Sequence, residues 1–249
     1  HLQFEVKTRV AEPFLPVGYV IARYQDYINE RKNDKAEAVA PAKCKETETE
    51  FIFTGKNFKA TFDKSCGILT SYKFKDNEYI NDGHGLHPNF WRAPIDNDYG
   101  AGLPIKLKVW KDISYQEPKG SITLNGSTLT CKYDYPEVKG TWEVSYTVYS
   151  NGVIRVNNTF TTTDAAVPMI PRVGLRMQMP ISFDRLTYFG RGPWGNYRDR
   201  RVSTFNGEYT NSVQDMFEPY VRPQENNHRT DVRWCAFTNK VGAGLLFIS

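Results

Sequence analysis

The sequence predicts an all-β fold of antiparallel sheets, and three observations carry that prediction. Short apolar runs rich in Val, Ile, Phe, Tyr and Thr recur along the chain, each closed by Gly, Asn, Asp or Pro. Asn151-Gly152 lies between two alternating runs and is the strongest short-range hairpin signal present. No segment sustains the period of about 3.6 residues that a long amphipathic helix needs, and no repeat of fixed length recurs.

Taken in order, residues 2–10 alternate, with Leu2, Phe4, Val6, Thr8 and Val10 on one side and Gln3, Glu5, Lys7 and Arg9 on the other. That is the period of a half-buried strand. A second strand is expected over 17–27, after a turn at Pro13 and Pro16. Two strands do not make an independent domain, so 1–30 is expected to be the end of a domain, the rest of whose sheet lies outside this sequence. Residues 31–50 are charged, lack aromatics and show no strand period, so they read as a surface linker. Strands are then expected at 51–54, 58–62 and 68–74, and again at 124–133, 141–149, 153–162, 173–179 and 186–189. Residues 104–112 fit a short helix or a strand. An apolar run at 244–249 closes the sequence, and the chain is expected to be an internal piece of a longer polypeptide, with its second domain, 51–249, truncated.

Composition bounds the function. Of 249 residues, 40% are hydrophobic and 14% aromatic, enough for a packed core. A balance of 32 basic against 28 acidic side chains leaves +4, too little to suggest a nucleic-acid partner. No apolar run approaches the roughly 20 residues of a membrane-spanning helix, and the start has no signal-peptide pattern, so no membrane partner is expected. The compartment stays open between cytoplasm and periplasm. Cys44, Cys66, Cys131 and Cys235 are scattered without a C-x-x-C pair, and the histidines are not at ligand spacing, so no metal site is expected here. Buried free thiols are the default, with one disulfide left open.

The densest chemistry sits at 89–102, N-F-W-R-A-P-I-D-N-D-Y-G-A-G. An aromatic pair precedes Arg92, a stiff Ala93-Pro94, the polar set Asp96, Asn97 and Asp98, and then Gly100 and Gly102. Asx-turns and a loop are expected, with Arg92 and Asp96 anchoring its stem by charge pairing or backbone hydrogen bonds and Gly100 as the hinge that lets the tip change conformation; if Gly100 sits at φ > 0, alanine there would strain that state. Two further segments match this density: G-R-G-P-W-G-N-Y-R-D-R at 190–200 and P-Y-V-R-P-Q-E-N-N-H-R at 219–229.

These three motifs, in this order and spacing, resemble the C-terminal small-chain region of lactose-operon-type β-galactosidases of glycoside hydrolase family 2. The family usually has Glu where Gly195 stands and Pro where Arg198 stands. The resemblance implies a large antiparallel supersandwich of the galactose-mutarotase-like kind, preceded by the last strands of an immunoglobulin-like domain. It implies partners in the same polypeptide, an upstream catalytic barrel and the immunoglobulin-like domain, with a galactoside as substrate. The retaining hydrolysis of terminal β-galactosides would use two glutamates of that barrel, so no catalytic residue is carried over to this chain, and the isolated segment is expected to be inactive. A divalent cation, Mg²⁺ or Ca²⁺, would belong to the barrel, and no cofactor is expected in this segment.

The expected roles here are to buttress the barrel and to supply Arg92, Asp96, Asn97, Asp98 and Gly100 to the active-site rim. Trp194 and Tyr197 could stack on a sugar face while Arg200, Glu225, Asn226 and Arg229 hydrogen-bond its hydroxyls, giving weak carbohydrate binding. The alternatives are a stand-alone carbohydrate-binding module and a mutarotase-like aldose epimerase with Glu225 and His228 as base and acid.

Overall fold

The computed structural model describes residues 2–26 and 39–249, and the chain divides into two units, His1–Ala38 and Val39–Ser249. The first unit is an antiparallel ribbon of β1 (Leu2–Lys7) and β2 (Val20–Asp26), with Phe4 opposite Tyr24. Both strands are shorter than the alternation suggests, because Glu12 and Leu15 close a separate turn between them. The end of the second expected strand, at Tyr27, and residues 31–38 of the expected linker lie outside the described residues.

The second unit is built of antiparallel sheets. The first sheet is a five-stranded meander of β3 (Lys43–Glu46), β4 (Glu50–Thr54), β5 (Phe58–Asp63), β6 (Leu69–Phe74) and β7 (Asn77–Glu78). Part of the stretch read as linker is therefore an edge strand, with Cys44 opposite Phe53. After β8 (His87–Asn89) come three short helices, α1 (Asp96–Gly100), α2 (Leu103–Lys106) and α3 (Lys108–Tyr115). A four-stranded meander follows, of β9 (Gly120–Asn125), β10 (Thr128–Tyr135), β11 (Gly140–Val148) and β12 (Ile154–Thr162). The Asn151-Gly152 turn joins the last two strands, with Gly152 at φ 93° and Tyr149 N–H donating to Val153 O. β13 (Gly174–Arg176) pairs with β8, and β14 (Arg185–Gly192), β15 (Phe205–Ser212), β16 (Trp234–Thr238) and β17 (Gly244–Ile248) form the last sheet in the order β15-β14-β16-β17.

The core forms where the inner faces of the two meanders meet. On β11, Trp142, Val144, Tyr146 and Val148 are buried at every second position, and on β10 Leu129, Cys131, Tyr133 and Tyr135 do the same. The register sets Cys131 opposite Val144 and Tyr133 opposite Trp142. Phe51, Phe53 and Phe62 face them, and the Phe62 and Tyr146 rings lie 5.0 Å apart. Buried hydroxyls reach across the layers: Tyr133 donates to Cys66 O and Tyr72 to Gly152 O. At the layer edge, Ala42 N–H donates to Val148 O and Ser150 N–H to Ala40 O, so the chain enters the first sheet along the end of the second.

Residues 104–112 are helical. Pro104 sits where a first helical turn accepts proline, and Leu107, Trp110, Ile113 and Ser114 are buried at helical spacing while Lys108 pairs with Asp112 in solvent. All four cysteines are free thiols. Burial pushes Cys66 up to about 12 and Cys131 to about 11, so both stay protonated and unreactive at neutral pH.

Candidate functional site

The signature segment starts inside the core. Phe90 is fully buried among Trp110, Tyr135, Trp142 and Phe160, and its N–H donates to the Ser114 hydroxyl. Asn89 donates from its side chain to Trp91 O. With the aromatic plug fixed, Arg92 emerges beside α1 and holds Asp98 through two bonds of 2.6 and 3.1 Å. The Asp98 carboxylate also accepts the Ile95 N–H at 2.9 Å, and the residue is 8% exposed. The polar cluster expected as an Asx loop is thus the short helix α1, because Asp98 caps the turn in which it stands. Asp96 and Asn97 face solvent.

The hinge expectation is corrected. Gly100 lies in helical backbone with open space where a side chain would point, whereas Gly102 carries the left-handed conformation, at φ 69°. Gly100→Ala is therefore expected to leave stability unchanged or raise it by up to about 1 kcal/mol. Gly102→Ala should cost about 1–2 kcal/mol. Urea unfolding of both variants checks this, and a larger loss at position 100 than at 102 would refute it.

The second and third motifs pack on each other through Asn196, which is 0% exposed. Its amide nitrogen donates to Arg191 O and Trp194 O, its carbonyl oxygen accepts from the N–H and hydroxyl of Thr230, and its backbone N–H donates to His228 O. Asp231 binds Arg191 and Arg201, each at 2.6 Å. Arg229 donates to the Tyr188 hydroxyl, to Asn227 and to Pro193 O. Asn226 bridges both backbone groups of Glu218.

Glu225 joins this block to the signature segment. Its carboxylate accepts from Arg172 at 2.6 Å, Arg92 stands 3.7 Å away, and its backbone N–H donates to Pro94 O. Beside it the Tyr197 ring stacks on His228, centroids 5.4 Å apart, and the Arg200 guanidinium lies 5.8 Å from the Tyr197 centroid. The Tyr197 hydroxyl is buried next to this charge cluster without a hydrogen-bond partner of good geometry. Trp194 points outward, 51% exposed, its Nε1 at 3.4 Å from the Ser203 hydroxyl. A shallow cleft lined by Trp91, Arg92, Pro94, Leu103, Leu107 and Met169 opens beside α1.

The family now follows. Residues 54–248 match the family described as Beta galactosidase small chain. The chain belongs to the β-galactosidase small-chain family. It is 32% identical over 236 residues to the Beta-galactosidase of Priestia megaterium, covering 92% of this chain and 22% of that protein. It is 29% identical over 248 residues to that of Streptococcus thermophilus (96% and 23%) and 34% identical over 203 residues to that of Lactobacillus delbrueckii subsp. bulgaricus (78% and 19%). The chain thus spans about a fifth to a quarter of the length of the curated relatives it matches.

Within this small-chain unit, Arg92, Asp98, Tyr197, Arg200 and Glu225 converge on one cluster together with Arg172 and His228. Asn226 and Arg229 instead knit the backbone of their own segment, and Trp194 faces solvent away from those bonds. Arg172 went unnoticed in the sequence because it lies outside all three motifs, between Pro171 and Val173, where nothing but three-dimensional contact marks it. Among the described residues no group of three or more His, Cys, Asp or Glu side chains comes together as a metal ion would need.

Burial holds the His228 pKa below 6.5; nearby Glu225 works against that, and Arg172, Arg92 and Arg229 reinforce it. A base with a lowered folded pKa contributes stability that is complete above its unfolded value and lost as pH falls through the folded one. Stability should therefore decline below about pH 6.5. His228→Phe, which keeps the stack on Tyr197, should flatten that part of the profile measured by chemical unfolding between pH 7.5 and 5. An unchanged slope would refute the assignment.

Proposed function

We propose that this chain is the small-chain portion of a longer β-galactosidase that hydrolyses terminal β-D-galactosides with retention. The reading rests on one observation above the rest: the chain matches β-galactosidases along 78–96% of its length while covering about a fifth to a quarter of theirs. The chemistry agrees. Retaining hydrolysis needs two carboxyl groups about 5–5.5 Å apart facing one glycosidic bond. Here Asp96, Asp98 and Glu225 are each engaged by a guanidinium, of Arg222, Arg92 and Arg172 respectively. These carboxylates are structural, and the catalytic pair would come from an upstream barrel of glycoside hydrolase family 2, with a Mg²⁺ or Ca²⁺ ion there. The small-chain unit would buttress that barrel and present α1 at the rim of its active site.

The test is direct. The purified 249-residue chain should fold as β structure and release no product from a β-galactoside, while the same residues fused to the remainder of the enzyme should be needed for full activity. Turnover by the chain alone, surviving stringent purification, would overturn the reading.

Weak sugar binding is a secondary part of the proposal and now rests on Trp194, whose half-exposed indole is free to stack on a sugar face. Galactose should bind with Kd in the millimolar range, about −4 kcal/mol. The fluorescence change on titration should vanish in Trp194→Phe. A titration with no saturable change removes this part. The epimerase alternative needs Glu225 and His228 turned toward a common ligand, but Glu225 is held by Arg172 and His228 lies flat on Tyr197.

A further inference from the structure

Helix α1 has an N-terminus that its own sequence caps only in part. The residue at its N-cap is Ile95, which has no side-chain oxygen. Asp98 satisfies the Ile95 N–H, and the N–H groups of Asp98 and Tyr99 donate to Ile95 O, so the first N–H inside the helix that needs an outside acceptor is that of Asp96. That group donates to Gln224 Oε1 at 3.1 Å, from 128 residues further along the chain. Three more contacts come from the same short segment. Arg222 pairs with the Asp96 carboxylate at 2.9 Å, and its guanidinium lies 4.6 Å from the centroid of the Tyr99 ring. Glu225 N–H donates to Pro94 O. The backbone entry, the first N–H, an acidic side chain and an aromatic ring of one helical turn are thus all held by residues 222–225.

We propose that Arg222 and Gln224 are positioning residues that fix α1 from outside its own motif. The helix is five residues long, too short to persist on its own in water. Its fixed points on the N-terminal side are Arg92 and the 222–225 segment; on the C-terminal side the chain leaves through Gly102. Loss of the clip would leave α1 held on that side by Arg92 alone, so its first turn could shift between Arg92 and Gly102 while Phe90 stays anchored in the core. The catalytic consequence rests on the proposal that α1 stands at the rim of the β-galactosidase site: a helix that wanders there would misplace whatever it contributes to substrate closure.

The experiment has two arms. In the 249-residue chain, amide exchange of Asp96, Tyr99 and Ala101 is followed by NMR for Gln224→Ala, Arg222→Ala and Gln224→Glu. Loss of an N-cap acceptor should speed exchange of these amides about fivefold in Gln224→Ala. Amides of β10 and β11 should not change. Gln224→Glu keeps the acceptor oxygen and should restore the wild-type rates. In the intact enzyme, Gln224→Ala should shift kcat and KM together, with kcat/KM about fivefold lower, an unchanged unfolding midpoint, and rescue by Gln224→Glu. Unchanged exchange in both alanine variants overturns the clip wherever α1 lies. Faster exchange with unchanged kinetics overturns the positioning role and the rim placement, while leaving the small-chain assignment to be judged by the activity of the chain alone.

Discussion

Asn196→Ala should cost the chain roughly 3–5 kcal/mol of unfolding free energy, because one buried side chain satisfies four partners at once. Its removal leaves Trp194 O and the Thr230 N–H without their hydrogen bonds and strips the hydroxyl of Thr230 as well. Arg191 O keeps only the longer contact from the Tyr188 hydroxyl, at 3.4 Å. No water reaches a site that is 0% exposed, so those groups cannot be resolvated in place. The orientation of the amide is fixed by its partners: two carbonyl oxygens face the NH₂ end, and a backbone N–H faces the oxygen. Asn196→Asp therefore makes a sharper probe than alanine. It keeps acceptors for Thr230 but sets a carboxylate against two carbonyl oxygens, and should be at least as damaging. Equilibrium unfolding in urea measures both, and a loss under 1 kcal/mol for either would refute the network as the fastening between the second and third motifs.

Phe90→Ala should cost about 3–5 kcal/mol, the usual range for a fully buried ring that leaves a cavity. The ring touches four others, with centroids 4.9–5.6 Å away, two of them edge-on. Such pairs add to plain burial. The neighbours come from α3, β10, β11 and β12, so Phe90 is the point at which the helical insertion is pinned to the second meander. Phe90→Leu, which fills most of the volume, should cost under about 2 kcal/mol. The ratio between the two variants is the informative quantity. Equal losses would mean that edge-on geometry, rather than volume, sets the stability there.

The sheets were legible in the sequence wherever one face of a strand is buried, because alternation is then imposed on the residues. β11 is the clearest case, with Trp142, Val144, Tyr146 and Val148 inward. The same reasoning ran 124–133 together as one strand, although Asn125-Gly126 is the same dipeptide as Asn151-Gly152 and turns the chain between β9 and β10, with Gly126 at φ 60°. The stretch 103–113 carried two periods at once: Ile105, Leu107 and Val109 alternate, while Leu107, Trp110 and Ile113 recur at helical spacing. Burial of the latter set, with Ile105 83% exposed, decides for the helix. β15, β16 and the edge strand β3 were missed for the opposite reason. β3 is exposed at nearly every position, β16 is half-buried at every position and β15 is mixed, so in none of them does one buried face impose an alternation.

For the candidate site, the sequence located the three polar segments but not their pairings. Arg92 and Asp96 were expected to anchor the stem, but with which partners the sequence did not say: the α1 turn brings position 98 back over 95, so Arg92 holds Asp98, and turns 96 toward Arg222. Glu225 was read as a sugar ligand, and the sequence did not reveal that Arg172 would pair with it. Charge in a motif says that a group needs a partner and leaves open which one.

The seam where residues 40–42 run along 148–150 bears on how the chain reaches this state. Each meander is joined by tight turns and can form locally, within microseconds for a single hairpin. The contacts that marry them are of another kind: Tyr72 to Gly152 spans 80 residues, and Tyr133 to Cys66 spans 67. Closing loops of that length costs entropy before any aromatic ring is buried in return. Refolding should therefore be slow and limited by sheet docking, with Tyr146 and Phe62 meeting late. Mutations on that shared face should slow folding, while mutations in the Asn151-Gly152 turn should act mainly on how fast the second meander assembles.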